Sequence, residues 1–202
     1  MHKYYNGHYH GPNQQKQWIR LPFPSDDYYG KPLKLLNVHR GEKLLDVACG
    51  TGELLRCAEV LGCKCWGIDI SKVAISKARA KVKGELICLD INNGLPYHNS
   101  FFDYITCLGS LEHFHNQTHV LKEICRVAKK SCRICFLVPN DDYILHKLGY
   151  ETDNQPVVNR YSLRGYQSLI ERNGFNIYRI LRDNSHLTNL AESSSLPKLF
   201  AK

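Results

Sequence analysis

"LLDVACGTGELL", Leu44 to Leu55, decides the fold. Two leucines run into an acid, and a glycine, a threonine and a second glycine follow at Gly50 to Gly52. The apolar run ending at Asp46 reads as a buried strand. Gly50 and Gly52 have no Cβ, so the backbone can turn sharply there and approach a ligand closely. Strand, glycine turn and helix also make a phosphate-binding pattern. However, Glu53, Leu54 and Leu55 follow Gly52, so the G-x-G-x-x-G fingerprint is not met, and the chain has no G-K-[ST] P-loop. Asp46 and Glu53 would both repel a phosphate. A carboxylate at this strand end suits a positively charged ligand group, an amine or a sulfonium.

Outward from this stretch the chain alternates. Strands are predicted at Glu42–Ala48, Cys63–Ile70, Glu85–Asp90, Phe101–Gly109, Cys132–Pro139 and Phe175–Leu181. Between them fall helices over Gly52–Gly62, from Ser71 onward, over about Thr118–Lys130, and over Ser162–Phe175. Ser71 is an N-cap, and Ile75, Ala78 and Val82 form an apolar face at helical spacing. The alternation predicts an α/β, doubly wound, Rossmann-like and mostly parallel sheet of six or seven strands with helices on both faces. In such a sheet the ligand crevice lies beyond the carboxyl ends of the strands, where strand order reverses.

The domain spans residues 26–183. Residues 1–25 are either a lid carrying Tyr4, Tyr5, Tyr9 and Trp18 or a tail. Residues 184–202 are a tail that does not read as a strand, which leaves a truncated or a shortened sheet open. A chain of 202 residues with 43% hydrophobic content is expected to fold as one domain. No apolar run approaches the roughly 20 residues of a membrane span, and the N-terminus lacks a secretory h-region. The nine cysteines lie largely in apolar segments and read as reduced thiols in a cytoplasmic protein. Cys132 and Cys135 form a lone C-x-x-C inside a strand, without the second pair that a metal site needs. The formal charge of +8 allows nucleic acid, an anionic surface or an acidic substrate. The lysines and arginines of Ser71–Gly84 read as a solvated helix face.

The D-x-x-x-G-x-G of Asp46 to Gly52 resembles motif I of the class I S-adenosylmethionine (SAM)-dependent methyltransferases, on the small-molecule, type 11-like side of that family. The resemblance runs from about Tyr29 to Leu181. Asp69 ends the second strand in "WGIDIS", and Asp90 opens "DINNGLPYHNSFFD", similar to the family's "D-x-x-x-L-P-F-x-x-x-x-F-D". "LKEICRVAKKSCR" stands where the family usually reads "L-x-E-x-x-R-V-L-K-P-G-G". Ala48 replaces the usual first glycine, a change the turn should tolerate.

The resemblance implies SAM as cofactor, with contacts at Asp46, Ala48, Cys49, Gly50, Gly52, Asp69, Ile70, Asp90, Ile91, Cys107 and Leu108. In the family, the acid matching Asp46 holds the methionine amino group. The acid matching Asp69 accepts from both ribose hydroxyls, and the one matching Asp90 accepts from the adenine amino group beside the Ile91 backbone N–H. The backbone at Cys107 and Leu108 lies along the methionine portion. The candidate general base is His113, with Glu112 beside it. Some relatives bind a metal through E-x-x-E-H at this place, but Gly109 stands for the first acid here, so no metal is expected. No base-methylation N/D-P-P-Y/F signature is present. The expected acceptor is a small or medium-sized molecule, with an anionic one suited to the net charge, methylated at oxygen and contacted by residues 140–161. The alternatives are an RNA methyltransferase and a non-catalytic SAM-binding partner subunit.

Overall fold

The computed structural model describes residues 27–139 and 159–181. Its elements run α1 (Asp27–Leu36), β1 (Lys43–Val47), α2 (Glu53–Val60), β2 (Lys64–Asp69), α3 (Lys72–Arg79) and β3 (Glu85–Cys88). Then follow a 3-10 turn (Ile91–Asn93), β4 (Phe102–Leu108), a second 3-10 turn (Leu111–His113), α4 (Gln117–Val127), β5 (Ala128–Leu137) and α5 (Leu163–Glu171). The sheet is parallel throughout, in the order β3-β2-β1-β4-β5. The chain steps outward from β1 to β2 and β3, then returns to lay β4 against the other side of β1. That reversal opens the crevice at the carboxyl ends of β1 and β4.

Side chains alternate across a strand, so neighbouring leucines of β1 serve different layers. Leu44 packs with Leu33 of α1, Leu54, Leu55 and Ala58 of α2, and Ile75 of α3. Leu45 packs with Val120, Leu121 and Ile124 of α4 and with Tyr166 and Leu169 of α5. Each fully buried leucine contributes roughly 1.5–3 kcal/mol. Helices α3, α4 and α5 start on side-chain caps: Ser71 Oγ accepts from Ala74 N, Asn116 Oδ1 from His119 N, and Ser162 Oγ from Gly165 N.

The structure departs from the sequence-based expectation in three places. Helix α1 was not foreseen, because Gly30 and Pro32 argue against a helix. It forms because half-buried Tyr29 and buried Leu33 and Leu36 make one apolar stripe against the second core layer. β5 begins at Ala128 rather than Cys132, directly at the end of α4, and its register against β4 shifts between Phe102 and Tyr104. Residues 175–181 carry no strand, so the described sheet has five strands rather than six or seven. Phe175 and Ile177 keep the partial burial of an alternating pattern, while Tyr178 is 100% exposed. A strand needs a ladder partner, and the described residues supply none there. The proposed lid, the stretch 140–158 and the C-terminal tail lie outside the described residues. The nine cysteines are all described and unbridged. No helix among the described residues is long and apolar enough to cross a membrane.

The acid and arginine of "LKEICRV" close the loop between β3 and β4. Arg126 donates to Leu95 O, Tyr97 O and Asn99 Oδ1 at 2.8–2.9 Å, and to both Glu123 oxygens at 2.8 Å. Glu123 in turn accepts from Leu95 N at 2.8 Å. The arginine hydrogen bonds hold the Glu123 carboxyl down at about 2. A lysine cannot reproduce this planar fork. Arg126→Lys should therefore lower unfolding free energy by about 1–3 kcal/mol in a denaturant titration.

Candidate active site

The turn after β1 is built from left-handed residues: Ala48 at φ 58, Gly50 at φ 54 and Gly52 at φ 79. Alanine has a Cβ that the left-handed region crowds, at roughly 1–2 kcal/mol. The turn tolerates it because Cys49 N is tied to Ile68 O on β2 at 2.9 Å and Gly52 N closes back on Cys49 O at 2.9 Å. Gly52 is constrained twice over. Besides its φ, a Cβ there would lie 2.9 Å from Val82 Cγ2 and 3.0 Å from the Ala78 Cβ, in the face that holds α2 against α3 and the loop after it.

Asp46 and Asp69 stand near or at the ends of adjacent strands, and Asp90 lies two residues past β3. Asp69 is shared between the two βα turns: its Oδ2 accepts from Gly50 N and its Oδ1 from Ser71 N, each at 2.8 Å. Asp90 caps the first 3-10 turn, its Oδ1 accepting from Asn92 N at 3.0 Å and from Asn92 Nδ2 at 2.7 Å. Asp46 is 5% exposed and accepts at Oδ1 from the Thr106 hydroxyl at 2.6 Å. Ile91 and Cys107 are buried, while Ile70 and Leu108 are half-buried. The structure therefore gathers the sequence-predicted positions around the carboxyl ends of β1 to β4.

Burial governs the electrostatics. It raises the Asp46 carboxyl to about 7, with the Thr106 hydrogen bond opposing and Asp69 adding to the rise. Burial also raises Asp69, against the two backbone N–H donors. The thiols of Cys49 and Cys107 are pushed up by burial first and then by nearby acids, Asp46 among them. Tyr29 of α1 is raised by burial, then by Glu53 and Asp46, so the unforeseen helix reaches the crevice.

His113 sits on the second 3-10 turn, just past β4, and is 8% exposed. Its Nε2 lies 3.6 Å from Glu112 Oε1. Asn159, on the far side of residues 140–158, ties the segment before α5 to this turn. Its N–H donates to Glu112 O at 2.8 Å, and its Nδ2 donates to Phe114 O at 3.1 Å. No group of three or more metal-ligating side chains occurs among the described residues. Sequence reasoning missed Thr106. The signal was present as a single threonine inside the apolar "YITCL" of β4, but only the strand register sets it opposite Asp46.

A family described as "Methyltransferase domain" matches residues 27–180. The demethylmenaquinone methyltransferase of Bacillus pumilus is 35% identical over 129 residues, covering 59% of this chain and 55% of the relative. The chain thus spans about half the length of the curated relatives it matches. Among solved structures, a SAM-dependent methyltransferase from Aquifex aeolicus superposes with a TM-score of 0.60 at 22% identity, covering 75% of this chain and 81% of that one. A chain from a complex of the Haloferax volcanii Trm112 methyltransferase activator gives 0.64 at 19% identity, covering 74% and 68%. These structures share the fold.

The raised Asp46 has a consequence for the ligand-free protein. Its proton is held more tightly in the folded chain than in the unfolded one. The corresponding stability is present below the ordinary carboxylate value of 3.8 and is lost as pH rises to about 7. Asp46→Asn removes that loss. At neutral pH the ligand-free variant should be more stable by on the order of 1–4 kcal/mol, and the gain should vanish in acid. Thermal unfolding at several pH values checks this.

Proposed function

The chain belongs to the methyltransferase domain family, and from that premise we propose that it binds S-adenosylmethionine in the crevice of β1 to β4 and transfers the methyl group to a small or medium-sized acceptor. The observation that carries the reading is Asp46, a carboxyl buried at the reversal of strand order, where a ligand ammonium would favour its ionised form. Asp69 uses one lone pair of each oxygen on a backbone N–H, and the second on each is available to a vicinal diol such as the ribose hydroxyls. The described residues give Asp90 Oδ2 no hydrogen bond, which suits the adenine amino group.

The cofactor supplies a methyl group already activated by its sulfonium. The protein's own work is to align the acceptor and exclude water, and alignment can be worth roughly 7–11 kcal/mol of barrier. A base is needed where the acceptor must lose a proton, and His113, held beside Glu112 at the mouth of β4, is the proposed base. Oxygen is the acceptor atom read from the sequence. Carbon is the second reading, favoured by the relatives, since methylating demethylmenaquinone adds the group at carbon.

Two measurements test the proposal. Asp69→Ala should weaken S-adenosylhomocysteine binding in calorimetry by about 1.5–3 kcal/mol for each hydrogen bond lost; unchanged affinity would remove the crevice assignment. His113→Ala should leave cofactor affinity nearly intact and slow single-turnover methyl transfer by roughly 10²–10⁴-fold. A rate within a few-fold of the parent would leave alignment as the source of catalysis.

A further inference from the structure

Thr106 is the one aliphatic hydroxyl in the apolar run of β4. It is fully buried, on the same sheet face as Asp46 and directly opposite it in the β1–β4 ladder. Its Oγ1 lies 2.6 Å from Asp46 Oδ1 and 3.5 Å from Leu45 O. We propose that Thr106 is a positioning residue for cofactor binding: its hydroxyl fixes the Asp46 carboxyl in the crevice and sets the pH above which that carboxyl holds the ligand's ammonium group. The inference rests on the reading that Asp46 takes the amino group of the cofactor.

The hydroxyl suits both protonation states. When Asp46 is ionised, Thr106 donates its proton to Oδ1, the closer of its two acceptors. When Asp46 is protonated, the carboxyl O–H can donate to Thr106 Oγ1, and the threonine proton turns to Leu45 O. A hydroxyl rotates freely between these roles. Valine has the same shape and can do neither, so it would leave a buried oxygen without that donor. A hydrogen bond to the charged form favours the charged form. The bond to the ionised carboxylate is charge-assisted and the stronger of the two, so removing the hydroxyl should move the Asp46 titration to higher pH.

The surroundings isolate this titration. The groups that act on Asp46 or feel its charge are Tyr29 of α1, Cys49 of the turn, Cys65 and Asp69 of β2, Cys107 of β4 and Cys135 of β5. The phenol and the thiols are all raised, so they remain neutral around pH 7. Among the described residues, Asp69 is left as the charged neighbour. It is anchored by two backbone N–H groups that do not involve Thr106.

The test is the affinity for S-adenosylhomocysteine, measured by calorimetry from mildly acidic to mildly alkaline pH. Wild type should bind more tightly as pH rises and then level off. Thr106→Val should move the midpoint to higher pH and weaken binding about fivefold at neutral pH for a rise of one pKa unit, approaching tenfold at more acidic pH. Thr106→Ser, which keeps the hydroxyl, should restore the wild-type midpoint. If Thr106→Val does not fold, Thr106→Ala against Thr106→Ser makes the same comparison. An unmoved midpoint in the variants lacking the hydroxyl, or a uniform loss at every pH, overturns the proposal and leaves Thr106 a packing residue. Asp46→Asn should flatten the profile, and a retained midpoint there would assign the titration to Asp69 and also overturn it. Failure of the wild type to bind at all would instead strike the functional reading.

Discussion

The parallel pairing of β1 with β2 on one side and β4 on the other is the constraint on which the site depends. It sets Asp46 between Gly67 and Thr106. On the first side a Cβ at position 67 would lie 2.6 Å from Leu55 Cδ1 and 2.9 Å from Cys49 Sγ, so glycine lets α2 and the turn close over the sheet. On the second side stands a donor for the carboxylate. Because both ladders are parallel, the strands end together and their acids share one rim. An antiparallel neighbour would carry its own strand-end acid to the opposite edge of the sheet.

What could be read in advance follows from what each signal measures. The apolar runs of β1 to β4 and the glycine turn after β1 are local signals; Asp46 was legible from its own stretch, and Asp69 and Asp90 were singled out through the family resemblance. Helix α1 was hidden because Gly30 and Pro32 lower the local helix preference, while Tyr29, Leu33 and Leu36 recover it only through contact with a distant layer. The strand expected at 175–181 failed for the converse reason. Its alternation is local, but pairing is not. Thr106 and Asn159 act on residues far from them in sequence, so neither could be assigned a role before the register was known.

Arg126 and Glu123 belonged to a motif that was visible in the sequence, but its meaning was not. They do no chemistry at the crevice. They staple the segment between β3 and β4, which contains Asp90, onto α4. The motif thus bears on the Asp90 side of the crevice through backbone geometry, while the 3-10 turn carrying His113 is held from the other side by Asn159.

The raised thiols of Cys49 and Cys107 acquire a meaning beside the proposed ligand. A sulfonium methyl donor is an alkylating agent, and the thiolate is the nucleophilic form of cysteine. Both side chains are buried near Asp46, whose negative charge adds to the desolvation that keeps each sulfur protonated. In the ligand-free protein the same buried carboxylate therefore works against thiolate formation at both sulfurs. If the crevice takes a sulfonium donor as proposed, a wall of protonated thiols is the form least prone to be methylated by it.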